Sequence, residues 1–298
     1  MSDSSEKPRF GRISLIGIGL IGSSIARMIK REGLAGHVAV SARSQESLDT
    51  SLELGFADSV TLDQEEAVRD ADLVIICSPI STYNSVIEAI APGLKKGAIV
   101  SDVGSVKQAV MRDLEPHIPD GVHLVPAHPV AGTEFSGPEA GFAELFENHW
   151  CILTPPEGCD AAALEKIAEF WRRAGSTVDI MDAAHHDKVL AITSHLPHLI
   201  AYNIVGTVPD IELVTDREVV KYAAGGFSDF TRIAASDPEM WRDVFLNNQE
   251  AVLEMLGRFT EDLAALQRAI RWGDGEALEE LFTRTRAIRR DLIEAKQV

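Results

Sequence analysis

Cysteine is scarce in this chain: Cys77, Cys151 and Cys159 stand alone, with no CxxC and no paired spacing. That argues against a disulfide framework and suits a reducing compartment, where a thiol behaves mostly as a small apolar side chain. Positive charge is also in deficit, with 28 Lys and Arg against 46 Asp and Glu, for a formal charge of −18. Such a field repels nucleic-acid backbones and anionic bilayers, so neither nucleic acid nor membrane is an expected partner. An anionic small molecule would have to be met by individual arginines, which makes each arginine worth tracking. No apolar run of about 18 residues is legible, so no membrane-spanning helix is expected. The opening from Met1 to Arg12 is polar and leads straight into a strand-like run, unlike a signal peptide, and a cytoplasmic location is expected.

What is present is 298 residues with 45% hydrophobic content, enough for two packed domains. From Ile13 to about Asp179, short apolar runs alternate with amphipathic stretches. Ile13–Ile18, His37–Ser41, Asp72–Cys77, Ala98–Asp102 and Val122–Pro126 read as strands, and Ser23–Glu32 as a helix ended by Gly33. Further strands are expected at Trp150–Thr154 and Thr177–Ile180, around a helix from Ala161 to Ala174. This alternation predicts an α/β fold, a parallel sheet covered by helices on both faces. After Met181 strand-like runs fade and helical periodicity takes over, over Trp241–Ile270 and Glu276–Ala295. The expected organisation is a Rossmann-type dinucleotide-binding domain over 1–181 and an all-helical substrate and dimerisation domain over 182–298. Helices this long need a large partner surface, which predicts a homodimer.

Gly17-Ile-Gly-Leu-Ile-Gly22 follows a strand and opens a helix. Glycines at those positions permit a tight turn and close approach of backbone to a pyrophosphate, and the helix N-terminus supplies N–H donors. Gly17, Gly19, Leu20, Ile21 and Gly22 are therefore candidate cofactor-binding residues, joined by Ser78 just after the third strand. The alternative is a glycine turn that serves packing alone. At the end of the second strand, where an NAD site carries an acid, the chain has Ala42, followed by Arg43 and Ser44. Those two side chains suit a 2′-phosphate, so NADP is favoured and NAD is kept as the alternative. Arg43 also fits a plain exposed loop residue.

Asp102-Val-Gly-Ser-Val-Lys107 follows a strand and opens a helix, where Ser105 faces the expected ligand edge or, with Asp102, only caps the helix. His128 lies between turn-forming residues in Pro126-Ala-His-Pro-Val-Ala-Gly-Thr-Glu134, and an imidazole suits a proton acceptor at neutral pH. His195 and His198 lack a third ligand for zinc. His185 and His186 read as a solvated helix start, and Ser236-Asp-Pro238 as a helix cap with proline in the first turn.

With Gly17–Gly22, Asp102–Lys107 and His128–Glu134, the runs Ser194-His-Leu-Pro-His198 and Asp229-Phe-Thr-Arg232 through Trp241 complete five motifs in order. In these the chain resembles the prephenate/arogenate dehydrogenase family of tyrosine biosynthesis, from Ile13 to about Phe259. The resemblance implies oxidative decarboxylation of a cyclohexadienol, prephenate or arogenate. Hydride leaves C4 for a nicotinamide, the 4-hydroxyl loses its proton, and the ring carboxylate departs as CO2. It further implies that His128 accepts that proton and that Ser105 helps to orient it. Arg232 would bind the ring carboxylate, although composition alone makes it a surface ion-pair residue. Thr133, Glu134, His198 and Trp241 are implied as lining residues. Neither the fused mutase nor the regulatory tail of some relatives is expected, so any tyrosine feedback is expected at the active site or dimer interface.

Two other readings stay open. One is a β-hydroxyacid or imine reductase of the same two-domain plan, which calls for a catalytic lysine; Lys188 and Lys221 are the candidates. The other is a non-enzymatic cofactor-sensing protein, which has no use for His128 and Arg232 together.

Overall fold

In the computed structural model, residues 9–215 and 225–294 are described. The chain divides into two compact units, one running to Gln249 and the other starting at Glu250. The first unit is built on a six-stranded sheet of β1 (Phe10–Ile16), β2 (Ala35–Ser41), β3 (Ser59–Thr61), β4 (Leu73–Ile76), β5 (Ile99–Asp102) and β6 (His123–Leu124). Their order is β3-β2-β1-β4-β5-β6 and every pairing is parallel. This is the doubly wound order in which strand succession reverses beside β1, the switch point where ligands bind.

Both faces of the sheet are buried, which explains the continuous apolar runs. Alternate residues divide between two cores. Ile13, Leu15, Val38, Val40, Leu73 and Ile75 pack with Ile25, Met28, Ile29, Phe170 and Trp171 on one face. On the other, Ile16, Val74, Ile76 and Val100 pack with Tyr83, Ile87, Val110 and Leu114. Each such side chain contributes roughly 1.5–3 kcal/mol of transfer free energy. The covering helices are α1 (Leu20–Glu32), α2 (Gln45–Glu53), α3 (Gln64–Val68), α4 (Tyr83–Ile90) and α5 (Lys107–Leu114). Helix α1 ends at Gly33, which adopts φ 62° as a left-handed cap.

The later strands do not extend this sheet, contrary to the single parallel sheet expected. β7 (Ala127–Pro129), β8 (Trp150–Leu153) and β9 (Thr177–Ile180) form a separate sheet in which β7 and β8 are antiparallel. His128 therefore lies within a strand, opposite Ile152, and not in a turn. Pro129 is tolerated because β7 is an edge strand. Helix α6 (Ala161–Arg173) packs Phe170 and Trp171 into the first core.

Beyond β9 the first unit is helical, with α7 (Ala183–Leu190), a π-helical turn at Ala191–His195, α8 (Leu196–Thr215), α9 (Gly225–Thr231) and α10 (Pro238–Asn247). Asp237 caps α10 by accepting from the N–H groups of Glu239 and Met240, with Pro238 in the first turn. The helical run expected over Trp241–Ile270 is interrupted at Asn248, between α10 and α11 (Gln249–Trp272). The second unit comprises α11 from Glu250 onward and α12 (Gly275–Glu294).

One helical run, Ala183–Thr207, contains an 18-residue window of mean hydropathy 1.2 and is by length and composition long and apolar enough to cross a membrane, which corrects the expectation that no such run exists. In this fold it carries buried His186, Asp187 and His195, and Asp187 is hydrogen-bonded to α5.

A buried ion pair shapes the loop between β5 and α5. Lys107 Nζ donates to both Asp102 oxygens at 2.8 and 2.7 Å and to the Ala127 carbonyl at 2.5 Å. Asp102 also accepts from the N–H groups of Gly104 at 2.7 Å and Ala127 at 3.1 Å, and from Tyr83 Oη at 3.2 Å. Both backbone polar groups of Ala127, the residue before His128, are thus held by one pair. Removing the lysine leaves an uncompensated buried carboxylate. Lys107→Met should therefore lower unfolding free energy by about 3–5 kcal/mol in urea melts, and a loss below about 1 kcal/mol would contradict the clamp.

Candidate active site

The Gly17–Gly22 loop joins β1 to α1 at the switch point. Gly17 has φ +100°, and a Cβ there would meet Ser78 N at 2.7 Å. A Cβ on Gly22 would collide with the Gly17 carbonyl oxygen, so the helix must start tightly against the loop. Over Gly19 no atom lies within 4 Å of a built Cβ. The N-terminus of α1 has no side-chain cap and no acid in its first turn. Free N–H donors, a helix dipole and open space above glycine fit a dinucleotide pyrophosphate. Leu20 and Ile21 begin the helix, and Ser78 borders the loop with its hydroxyl 2.8 Å from Thr82 Oγ1.

At the far end of β2, Arg43 is exposed and makes no ion pair among the described residues. Ser44 accepts from Ser47 N at 3.2 Å as the N-cap of α2. Its hydroxyl is therefore already engaged locally.

His128 is buried, and its Nδ1 lies 2.8 Å from His186 Nε2. His186 Nδ1 lies 2.8 Å from Asp187 Oδ1. The Asp187 carboxylate accepts from the backbone N–H groups of Lys107 at 2.7 Å and Gln108 at 2.9 Å, so it caps α5 from a distant helix. Neither Asp102 nor Ser105 provides that cap, which corrects the local reading of the loop. Ser105 is half-buried in the loop before α5, and the ring partner of His128 is His186 instead. Burial pushes the His128 pKa well below 6.5, with the neighbouring His186, Lys107 and His195 acting in the same direction. The solvated reading of His186 is overturned, because it is fully buried, while His185 is exposed. A helix start near acids looks solvent-facing in sequence; the burial comes from packing α7 against α5.

A second group forms around Trp241. His198 stacks on it with ring centroids 3.7 Å apart, and His195 meets it edge-on at 6.1 Å. His198 Nδ1 donates to Ser194 O at 2.9 Å, and desolvation lowers its pKa, assisted by Arg232. Asn248 Nδ2 donates to Asp187 O at 2.9 Å and to His195 Nδ1 at 3.0 Å, so the interruption between α10 and α11 serves this cluster. Burial drives the His195 pKa down to about 4. Its Nε2 and Trp241 Nε1 are buried without hydrogen-bond partners. Those are two donors with which an acceptor-bearing ligand would be compatible.

Exposed Arg232 pairs with Glu134 at 3.4 Å, and Thr133 Oγ1 accepts from Phe135 N at 3.3 Å on the same loop. The structure thus joins His198, Trp241, Arg232 and Glu134 into one neighbourhood. Lys188 is exposed and outside it, and Lys221 lies outside the described residues.

Sequence reasoning missed His186, Asp187, Asn248 and the Asp102–Lys107 pair. The His186-Asp187 adjacency was the available signal, but nothing local distinguishes it from a surface pair.

Residues 25–180 match the family model described as prephenate dehydrogenase, nucleotide-binding domain, and 182–284 the one described as prephenate dehydrogenase, dimerization domain. Cyclohexadienyl dehydrogenase of Zymomonas mobilis is 44% identical over 94% of this chain and 95% of its own. Prephenate dehydrogenase of Bacillus subtilis is 33% identical over 91% of this chain and 73% of its own. A crystal structure of A. aeolicus prephenate dehydrogenase with hydroxyphenyl propionate and NAD+ superposes with TM-score 0.88 at 33% identity, covering 95% of this chain and 98% of that one. Two consecutive family models and close relatives over nearly its whole length establish that the chain belongs to the prephenate dehydrogenase family.

Proposed function

We propose that His128 is the proton acceptor in the oxidative decarboxylation of a cyclohexadienol, the reaction of tyrosine biosynthesis that this family member catalyses. The observation that carries the role is a buried imidazole with one ring nitrogen committed to His186 and its pKa pressed below neutrality. Such a ring is neutral at physiological pH and ready to accept a proton. The Gly17–Gly22 loop would hold the pyrophosphate of a nicotinamide dinucleotide, which would supply the acceptor for the hydride that leaves C4 of the ring. His128 takes the proton of the 4-hydroxyl as that hydride leaves. The bond from C1 to its carboxylate then breaks, its electron pair enters the ring, CO2 departs, and the ring oxygen regains a proton as a phenol. Arg232 holds the ring carboxylate, in exchange for its contact with Glu134. His198, Trp241 and Thr133 line the remaining surface, and Ser105 faces the reacting centre from its loop.

Prephenate and arogenate are both proposed substrates, since they share the reacting ring. We assign 1–181 to cofactor binding and 182–298 to substrate binding and homodimer formation. Exposed Leu253, Ile270, Trp272 and Phe282 on the terminal helices support the dimer. NADP is the proposed preferred cofactor, with NAD as the alternative. Ala42 leaves no acid to repel a 2′-phosphate, and exposed Arg43 can donate to it, with Ser44 contributing less because it caps α2. The enzyme is assigned to the cytoplasm, which suits its unpaired cysteines.

Three measurements test this reading. Nicotinamide absorbance should rise with prephenate or arogenate, and His128→Asn should lower kcat by about 10²–10⁴-fold; turnover of neither substrate, or full kcat in the variant, would reject it. Arg43→Ala should reduce the NADP-to-NAD ratio of kcat/KM by roughly 10–100-fold, and an unchanged ratio would remove the phosphate role. Because the folded His128 pKa lies below 6.5, its base form is present at neutral pH and is lost only on acidification. The kcat/KM profile should therefore be flat through pH 7 with an acid limb below 6.5; a limb centred above 7 would contradict the buried, neutral imidazole.

A further inference from the structure

His186 has no part in cofactor or carboxylate recognition, yet it is fully buried between His128 and Asp187. We propose that His186 is a positioning residue that holds His128 in the tautomer with hydrogen on Nδ1, leaving the lone pair on Nε2 to accept the substrate proton. This rests on the reading of His128 as the proton acceptor.

Both oxygens of Asp187 accept backbone N–H groups, Oδ1 from Lys107 and Oδ2 from Gln108. A carboxylate in that role has no hydrogen to give, so His186 Nδ1, 2.8 Å from Oδ1, must be an N–H donor. In a neutral ring the other nitrogen, His186 Nε2, then carries a lone pair. Only a donor can face it at 2.8 Å, so His128 Nδ1 bears the hydrogen. The two rings meet at 67° with centroids 5.0 Å apart, an edge-on arrangement that suits a nitrogen-to-nitrogen hydrogen bond and not stacking.

The opposite assignment makes His186 an imidazolium that donates to His128. It would bury a cation beside Lys107 and put the His128 hydrogen on Nε2, where no proton can be accepted. Desolvation lowers the His186 pKa more than its bond to Asp187 raises it, which favours the neutral ring. When the substrate proton reaches His128 Nε2, the Nδ1–H becomes a charge-assisted donor to His186, with the Asp187 carboxylate behind it. The proton is not passed on to His186, which changes only how well the His128 cation is accommodated.

The test uses the whole protein labelled with nitrogen-15 in histidine. Wild type near pH 7.5 should show a protonated-type shift at His128 Nδ1 and an unprotonated-type shift at Nε2. His186→Leu removes the acceptor and should lower kcat by about 10–100-fold, with the KM for prephenate changing by less than about twofold. His186→Gln can present an amide oxygen where Nε2 stood and should recover most of that loss. A wild-type spectrum with hydrogen on Nε2 would overturn the proposal, and this result does not depend on any variant folding. Full kcat in His186→Leu while His128→Asn is inactive would overturn it and leave the acceptor role intact. Equal losses in the Leu and Gln variants, with the His128 nitrogen shifts unchanged, would also overturn it. Full kcat in His128→Asn would remove the acceptor reading and this proposal together.

Discussion

The Asp187 carboxylate, carried on α7, accepts the backbone N–H of Lys107 across 80 positions of sequence, the N–H of Gln108 beside it, and the ring of His186. An isolated carboxylate taken out of water costs several kcal/mol. Three N–H groups and the positive end of α5 offset that cost, so the contact persists only while α7 stays docked on the sheet domain. Helix α5 has no side-chain cap of its own. Its start therefore depends on a residue of the following helical segment. The carbonyl of Asp187 extends the same linkage to Asn248, and through it to His195.

Two buried polar assemblies consequently hold His128 from different sides. The Asp102–Lys107 pair secures the backbone of Ala127, while the His186–Asp187 arm reaches the ring itself. In the proposed role of proton acceptor, a ring held in this way would keep its orientation without having to reorganise as charge develops, which is the preorganisation that enzymes draw on for rate. Lys107 contributes to both, because its ammonium joins Asp102 while its backbone N–H joins Asp187. The loop that carries Ser105 lies between these two anchors.

Legibility in the sequence followed the range of each interaction. Strands β1, β2, β4 and β5 were readable because both faces are buried and each run is nearly continuous in apolar residues. The α1 helix and its Gly33 cap were readable from local pattern. β7 was obscured because Pro129, with Gly132 three residues on, resembles a turn, and only pairing with β8 makes Ala127–Pro129 a strand. The break at Asn248 was hidden because apolar periodicity continues across it. The Asn248 side chain is instead taken up by Asp187 and His195. His186 looked solvent-facing because helix α7 opens in a polar context, and its burial arises from packing against α5.

The chain's residues alone determined a doubly wound domain with a nucleotide loop, a helical second half, and His128 as the residue to watch, while Arg232 and Trp241 were marked only by the resemblance of their motifs to the family. Glycine geometry, apolar period and residue chemistry are local properties, and local properties survive in one dimension. Which nitrogen of His128 is free is a different kind of fact. It depends on a carboxylate many turns away, oriented by two backbone amides of another helix. A hydrogen-bond chain of that kind exists only once the elements have packed, so the tertiary structure alone decided it.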